Sequence, residues 1–375
     1  MPAVAPVILR VLRESARVRR DRRGHSPLPR DIADVDAATL SRLVEADVRA
    51  VEVEARNSGT TTRARLRVTS DDDRLPPTLF MKVAPTETKT RLFVNLMGLG
   101  RLEVAFYRDL RASVPVATPE VFAARYDPGL ARFALVLEDL EGRGCRFGDI
   151  TKPCTSDHAA AVVSALARLH AAFWDSPRFG GDLGWVPSQH RDPNGALVAR
   201  LVKRSVAQVE RSHADRIPER VRTGGREVLA RRPALDAALA RRPLTLLHGD
   251  THIGNMAFDG PSPVFFDWQV VRRGPGLRDV TYFMVTSLPV EDRRRLEEDL
   301  LREYQRELKA GGVDLDFDDV WRRYRLHAVD PWIASVVTVA AGGLQAAHIA
   351  DVGLERSVAA VQDLDTFAAV SEFLG

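Results

Sequence analysis

Between about residues 46 and 85 the chain alternates or clusters polar and apolar residues with the two-residue period of β-strands. The segments "VEVEA" (51–55), "TTTRARLRVTS" (60–70) and "TLFMKVAP" (78–85) are rich in β-forming residues, and turn-like stretches, "NSG" and "SDDDRLPP", separate them. This pattern predicts a meander of three strands. Two further apolar runs, "VFAARYD" (121–127) and "RFALVLEDLEG" (132–142), predict two more strands.

A helical period takes over between and after these strands. Residues 86–114 carry apolar side chains at helical spacing, including Val104, Tyr107 and Leu110. Beyond about residue 142 strand patterns nearly vanish. The stretch "SDHAAAVVSALARLHAAFW" predicts an amphipathic helix with Ser156 as its N-cap. A later helix is predicted from "DRRRLEEDLLREYQRELKAGG", where the paired glycines end the pattern.

This order of elements predicts an α+β protein with a small β-rich lobe followed by a larger, mostly helical lobe. We expect an N-terminal helical extension over residues 1–45, in which Asp36 caps a short helix. The β-rich lobe is predicted at residues 46–141 and the helical lobe at residues 142–375.

Composition narrows the class of protein. A chain of 375 residues with 45% hydrophobic and 28% charged residues is an ordinary globular protein with room for two lobes. A net charge of +3 implies no nucleic-acid partner, and no apolar run is long enough to favour stable membrane insertion. The basic N-terminal stretch is interpreted as a solvated helix, and the two cysteines, Cys145 and Cys154, as consistent with a reducing cytoplasm.

The richest polar cluster is "LLHGDTHIGNMAFDGPSPVFFDWQ", residues 246–269. Apolar runs at both ends predict short buried strands, which would hold the polar residues in a loop. Phosphoryl transfer needs a residue that orients or deprotonates the attacking hydroxyl and ligands for Mg²⁺ on the phosphates. Asp250 has the position of such a base, and Asn255 and Asp267 have the positions of the two metal ligands.

With these residues the sequence resembles the aminoglycoside phosphotransferase and choline-kinase-like superfamily of small-molecule kinases, over roughly residues 50–330. The tripeptide "DWQ" (267–269) is similar to the ecdysteroid-kinase-like branch. The resemblance implies a bilobal protein-kinase-like fold, ATP and Mg²⁺ as cofactors, and a small-molecule hydroxyl as the phosphate acceptor.

One lysine stands out in a chain that has only five. Lys82 lies in the middle of a predicted strand, where an exposed cation has little structural reason to be. The resemblance implies that it holds the α- and β-phosphates and pairs with a carboxylate on the following helix. Glu103, in "E-x-x-F-Y", is the expected partner, with Asp109 as the competitor.

Two nucleotide-binding segments rest on the resemblance alone. The turn "NSGTTTR" has a single glycine, and the resemblance puts Ser58, Gly59 and Thr60 over the phosphates; an ordinary hairpin turn is the alternative. The segment "LVLEDLEG" is similar to the kinase hinge. There, the Glu138 carbonyl and the Leu140 N–H would bind adenine.

The histidines of this region are not expected to form a zinc site. His248 and His252 have i, i+4 spacing, but the neighbouring glycines predict a loop rather than a helix. By resemblance His248 supports the catalytic loop, and Asp279 ties that loop to the helical lobe. His170 is interpreted as a hydrogen-bonded core histidine.

Three alternatives and the acceptor remain open. The chain could be a kinase-like regulatory protein that binds nucleotide without turnover, an aminoglycoside phosphotransferase or, since no activation segment follows Asp267, less plausibly a protein kinase. Residues 180–245, taken as a wall of the acceptor site, hold thirteen basic residues against seven acidic ones. That excess favours a neutral or anionic acceptor over a polycation. The oligomeric state is not predicted.

Overall fold

The computed structural model describes residues 4–21, 24–188, 195–241, 243–343 and 345–375. The chain is divided into two compact units. The first contains Met1–Ser113, Thr118–Arg146 and Phe266–Val270, and the second contains Val114–Ala117, Phe147–Phe265 and Val271–Gly375. The short segment Phe266–Val270, which contains Asp267, therefore belongs to the first unit, although the residues before and after it in the sequence belong to the second.

A five-stranded antiparallel sheet forms the centre of the first unit. Its strand order is β1-β2-β3-β5-β4, so that β3 is the middle strand. The strands are β1 (Val48–Ser58), β2 (Thr62–Ser70), β3 (Thr78–Val83), β4 (Val121–Asp127) and β5 (Arg132–Glu138). All five strands predicted from the sequence are confirmed.

Alternation along β2 explains how the sheet builds its core. Ala64, Leu66 and Val68 are buried, while the arginines between them are partly or fully exposed. Successive side chains of a strand point to opposite faces, so this alternation buries one face of the sheet. Leu79 and Met81 of β3 continue the same core.

The α-helices that accompany the sheet in the described part of the first unit are α1 (Val4–Asp21), α2 (Ala37–Val44), α3 (Thr88–Met97) and α4 (Leu99–Ala105). Asp36 caps α2 by accepting a hydrogen bond from the Thr39 N–H, as predicted. The helical pattern of residues 86–114 forms two helices because Gly98, with φ 71°, adopts a left-handed conformation between them. A π-helical turn, Phe106–Leu110, follows α4 directly.

The second unit is mostly helical. Its helices are α5 (Ser156–Ala172), α6 (Gly195–Ser212), α7 (Glu219–Leu239), α8 (Leu277–Ser287), α9 (Val290–Ala310), α10 (Phe317–His327), α11 (Val329–Ala341), α12 (Ala347–Asp363) and α13 (Thr366–Leu374). The N-cap of α5 is Thr155 rather than the predicted Ser156, because the Thr155 hydroxyl accepts the His158 N–H and Ser156 is already helical. The predicted helix near residue 300 is confirmed as α9, which Gly311 ends.

Short strands hold the polar cluster, and all of them except β6, which begins with the last residue of Thr118–Arg146, lie within the second unit. Strand β6 (Arg146–Phe147) precedes it, β7 (Thr245–Leu247) pairs with β10 (Arg272–Gly274), and β8 (Met256–Asp259) forms a hairpin with β9 (Ser262–Phe265). The loop between β7 and β8 carries Asp250 and Asn255. Helix α8, every residue of which is buried, supplies the side chains that support this loop.

No helix in the described part of the chain is both long and apolar enough to span a membrane. Cys145 and Cys154 are both buried.

Candidate functional site

Lys82 lies at the centre of a buried charge cluster in the first unit. Its ammonium is 2.7 Å from Glu103 Oε1 and 3.0 Å from Asp267 Oδ1. The three residues come from the middle strand β3, from helix α4 and from the returning segment Phe266–Val270. The predicted pairing of Lys82 with Glu103 is confirmed. The competitor Asp109 instead pairs with Arg108.

The pKa values of Lys82 and Glu103 are shifted because one buried cation faces two carboxylates. Burial opposes the charge of Lys82, but Asp267 and Glu103 outweigh burial and raise the pKa of Lys82. Burial raises the pKa of Glu103 to about 7, with Asp267 adding repulsion and Lys82 acting in the opposite direction. The second oxygen of Glu103, Oε2, has no hydrogen-bond partner. The two carboxylates therefore favour the charged form of Lys82, whereas burial and Asp267 favour the protonated form of Glu103.

Aromatic packing fixes the positions of the two carboxylates. The rings of Phe106, which follows α4, and Trp268, which follows Asp267, stack at 3.9 Å with an interplanar angle of 6°. Both rings are fully buried. Offset or stacked aromatic pairs of this kind add to the free energy of burial, so that α4 and the returning segment are held together.

Asp267 has an unusual backbone conformation. Its φ of 64° lies in the left-handed region, which costs free energy for a residue with a side chain. Such strain persists only where the surroundings impose it, and it is concentrated at functional sites. The conformation directs the Asp267 carboxylate to Lys82 while its neighbour Trp268 enters the core.

The turn predicted to cover the phosphates closes the β1–β2 hairpin. The Gly59 N–H donates to the Thr61 carbonyl at 2.9 Å, and Ser58 pairs with Thr62 across the hairpin. Gly59 is not in the left-handed region, and a Cβ built on it would meet no atom within 4 Å. Neither the backbone conformation nor the packing of described residues requires a glycine at this position. Glycine also allows a ligand to approach the backbone closely, and that use is consistent with the predicted phosphate contact.

The predicted hinge lies at the end of β5. The Glu138 N–H donates to the Glu120 carbonyl, and the Leu140 carbonyl accepts the Cys145 N–H, both at 2.9 Å. Leu140 is buried, and Glu138 is half-buried. Backbone bonds on both sides hold this segment in place. Adenine binding by the Glu138 carbonyl and the Leu140 N–H remains a prediction.

In the second unit, Asp250 lies in the loop after β7. Asn255 donates through Nδ2 to the Asp250 carbonyl at 2.9 Å and to its carboxylate at 3.0 Å. The His252 Nε2 atom lies 3.6 Å from the same carboxylate oxygen. The predicted catalytic aspartate and the predicted amide ligand are thus in direct contact, which the five-residue spacing makes possible because the loop folds back in a 3₁₀ turn, Ile253–Asn255.

The surroundings of Asp250 keep it ionised. Burial acts to raise the pKa of its carboxyl group, but His252, His248 and the hydroxyl of Tyr282 hold it well below its usual range. Tyr282 lies on helix α8 and had not been identified from the sequence. Tyr282 lies outside the polar cluster of residues 246–269 in the sequence. The only signal in the sequence was the helical period of α8, which indicates a buried position but not a contact with Asp250.

Asp279 of helix α8 is hydrogen-bonded to the catalytic loop. Its carboxylate accepts the N–H of His248 at 2.7 Å and the N–H of Gly249 at 3.2 Å, and its carbonyl accepts the Thr251 hydroxyl at 2.6 Å. Gly249 has φ 91°, a conformation that favours glycine. The predicted structural role of Asp279 is confirmed.

Further support comes from α5 and α8. His170 is fully buried, is hydrogen-bonded to the Tyr304 hydroxyl at 2.9 Å and has its Nε2 atom 3.9 Å from Asp279. It is a core histidine, as predicted. The Ser287 hydroxyl accepts the Ile253 N–H at 2.9 Å, and Arg278 donates to the Gly249 carbonyl at 2.8 Å. These two residues were also missed in the sequence, since nothing in their spacing marks them.

The residues proposed for magnesium fit its chemistry. Carboxylate and amide oxygens are hard donors, and Mg²⁺ in phosphoryl-transfer enzymes uses one or two protein ligands together with phosphate oxygens. Asn255 uses its amide nitrogen toward Asp250, which places its amide oxygen on the opposite side. No group of three or more His, Cys, Asp or Glu residues in the described part of the chain forms a metal site by itself.

Comparisons with known proteins show which family and which fold the chain resembles. Residues 52–327 match the family model described as the phosphotransferase enzyme family, APH. No curated protein matches the chain in sequence.

Several solved structures share the fold. One is a protein from Ralstonia eutropha JMP134 provisionally described as an aminoglycoside phosphotransferase, with 15% identity, coverage of 90% of this chain and 97% of the other, and a TM-score of 0.53. A choline/ethanolamine kinase family protein from Mesorhizobium loti has 15% identity, coverage of 86% and 92%, and a TM-score of 0.51. An amicoumacin kinase, solved with AMP-PNP, Ca²⁺ and Ami, has 14% identity, coverage of 84% and 88%, and a TM-score of 0.52. At these identities the similarity establishes the protein-kinase-like fold.

Proposed function

The chain belongs to the phosphotransferase enzyme family, and from that premise we propose that it is an ATP- and Mg²⁺-dependent kinase of a small-molecule hydroxyl. The observation that carries the proposal is the buried contact of Lys82 with both Glu103 and Asp267. A buried lysine held by two carboxylates is expensive to desolvate, and a purely structural core would not need it. The cluster suits a site that positions nucleotide phosphates.

Lys82, in this proposal, binds the α- and β-phosphates, and Glu103 holds the lysine in position. Ser58, Gly59 and Thr60 cover the phosphates through backbone N–H groups and hydroxyls. The Glu138 carbonyl and the Leu140 N–H bind adenine. Asn255 and Asp267 would hold Mg²⁺, which supplies positive charge that neutralises the phosphate oxygens during transfer.

Asp250 acts on the acceptor. Its carboxylate accepts a hydrogen bond from the acceptor hydroxyl and orients the oxygen toward the γ-phosphorus. As the new oxygen–phosphorus bond forms, the bond from phosphorus to the bridging oxygen breaks, and its electron pair leaves on ADP. Since its low pKa makes Asp250 a weak base, the hydroxyl proton moves to it late, when the attacking oxygen has become acidic.

The proposal is tested by following ATP turnover in the presence of a small-molecule extract of cells, with and without Mg²⁺. We expect metal-dependent ADP formation, phosphate gain by a component of the extract, and loss of both in an Asp250→Asn variant that still binds nucleotide. Nucleotide binding without phosphate gain by any component would instead support a regulatory protein without turnover.

A further inference from the structure

Helix α1 packs against the rest of the first unit with one side only. Val18 and Asp21 are buried on that side. Arg10 donates to the Leu96 carbonyl of α3 at 3.4 Å, and the Asp21 carboxylate accepts a hydrogen bond from Arg132 of β5. These contacts fix the rotation of the helix about its axis, so the side that faces away from the unit is also fixed.

The outward side of α1 carries large aliphatic residues. Ile8, Leu9 and Leu12 are 52%, 67% and 58% exposed. They lie within about one and a half turns of each other, so their side chains form one continuous apolar strip. Single exposed leucines are common on protein surfaces, but a strip of three on one helix face is typical of a surface that contacts something else.

The rest of the outward side is basic. At 3.6 residues per turn the strip shares an arc of about 140° with four further exposed residues. These are Arg13, Ala16, Arg19 and Arg20. The acids of α1 are buried on the opposite side and have partners there: Glu14 pairs with Arg17 at 2.8 Å, and Asp21 with Arg132. Among the described residues no acid forms an ion pair with the three arginines of the arc, so their charge is available to a partner.

A partner for this face must offer apolar surface and negative charge within the length of one helix. An anionic bilayer offers both, because its hydrocarbon lies directly beneath its phosphate groups. A helix in that interface buries its aliphatic side chains, while its arginines extend along the surface to the phosphates. We propose that α1 docks this protein on the surface of an anionic lipid membrane through the docking face, residues 8, 9, 12, 13, 16, 19 and 20.

Other occupants fit the docking face less well. A second copy of the chain would bring its own arginines against these arginines, and like charges repel. A nucleic acid would meet the arginines but would leave the three aliphatic side chains in water. The proposal does not depend on the phosphotransfer activity, and its test uses no acceptor.

The test measures how much full-length protein floats with lipid vesicles in a density gradient. The vesicles are made of phosphatidylcholine alone or of phosphatidylcholine mixed with phosphatidylglycerol. We expect flotation with the mixed vesicles and almost none with phosphatidylcholine alone. Raising the salt from about 0.1 M to about 1 M shortens the screening length from about 10 Å to about 3 Å, so binding should weaken. Equal flotation with both kinds of vesicle, or none with either, overturns the proposal.

Two sets of variants separate the apolar contribution from the basic one. Leu9→Gln with Leu12→Gln removes two aliphatic side chains, whose burial is worth about tenfold each in partitioning. Arg13→Gln, Arg19→Gln and Arg20→Gln together remove three cations, worth about fivefold each near an anionic surface. We expect the leucine pair to lower the partition coefficient at least about tenfold and the arginine set to lower it about a hundredfold.

Leu201→Gln is the matched control, because Leu201 lies on α6 in the second unit and is 45% exposed. It should leave the partition coefficient unchanged. Circular dichroism verifies the helical content of each variant, and Ile8→Gln replaces the leucine pair if that pair loses helix.

Two further results would overturn the proposal by identifying another occupant. If the leucine pair floats as the parent protein does while the arginine set does not, the face binds polyanions in general, and a DNA duplex should compete with the vesicles. If the parent protein elutes as a dimer in size-exclusion chromatography and the leucine pair as a monomer, a second copy covers the face.

Discussion

The surroundings of Lys82 predict unequal effects for the two sides of its ion pair with Glu103. In Glu103→Gln the lysine keeps Asp267, 3.0 Å away, and loses only one charged partner. In Lys82→Met two buried carboxylates lose their common cation. The lysine variant should therefore be the more damaging of the two, although both residues belong to one cluster.

The magnitudes follow from the interactions that each substitution removes. A hydrogen bond to a charged group contributes about 1.5–3 kcal/mol, which corresponds to a fall in kcat/KM for ATP of about 10- to 150-fold for Glu103→Gln. Removal of one side of a buried ion pair costs about 3–5 kcal/mol, or about 150- to 5000-fold for Lys82→Met. The double variant should match Lys82→Met within about threefold, because the lysine that Glu103 positions is already gone.

Steady-state kinetics would measure these values, with the component of the extract that gains phosphate used as the acceptor at saturation. Circular dichroism would verify that each variant folds. Asp109→Asn is the matched control, since Asp109 is a neighbouring acid that pairs with Arg108 instead of Lys82. If the fold losses in kcat/KM of the two single variants multiply in the double variant, Lys82 and Glu103 do not act as a pair. If the two single variants lose kcat/KM equally, the contact with Asp267 does not hold Lys82 in place when Glu103 is replaced.

Three further outcomes are expected. Asp250→Asn should lower kcat by about 10²- to 10⁴-fold with unchanged Mg·ATP affinity, and a turnover number within a few-fold of the parent protein's would contradict its role. Asp267→Ala should weaken Mg·ATP binding in a calorimetric titration, and an unchanged dissociation constant would count against it as a metal ligand. Because the pKa of Glu103 is raised to about 7, the folded protein holds a proton there that the unfolded chain has lost above the ordinary glutamate pKa. Its contribution to stability thus falls as pH rises from about 4.5 to 7. Urea denaturation of Glu103→Gln should show a smaller fall over that window than the parent protein, and an identical slope would contradict the raised pKa.

The charged and amide side chains of the site could be predicted because such residues are conspicuous among the apolar residues that surround them in the sequence. Lys82 was conspicuous in an apolar strand, and Glu103 was identified through the resemblance of "E-x-x-F-Y" to the family pattern. Both are confirmed as a pair by a 2.7 Å separation. Asp250 and Asn255 were found by their five-residue spacing, and the structure brings their side chains together. Their catalytic and metal-binding roles remain predictions.

What the sequence concealed depends on three-dimensional packing. Tyr282 contributes to the environment of Asp250 from a helix whose residues are all buried, so the position of Tyr282 in that helix does not distinguish it from its apolar neighbours. The segment containing Asp267 was assigned to the helical lobe, because it follows the catalytic loop in sequence. In the structure Phe266–Val270 clusters with the sheet of the first unit through Trp268 and Lys82.

The acceptor side shows why a count of charges is a poor guide to a binding site. Residues 180–245 are rich in arginine, and they were taken as the wall of the acceptor site; residues 189–194 and 242 of that segment lie outside the described residues. Several of the arginines pair with nearby acids, as Arg226 does with Glu210 and Glu219. Such pairs reduce the net positive charge that a ligand would meet, so the excess of basic residues overstates the field of this segment. The neutral or anionic acceptor expected from the sequence remains a prediction.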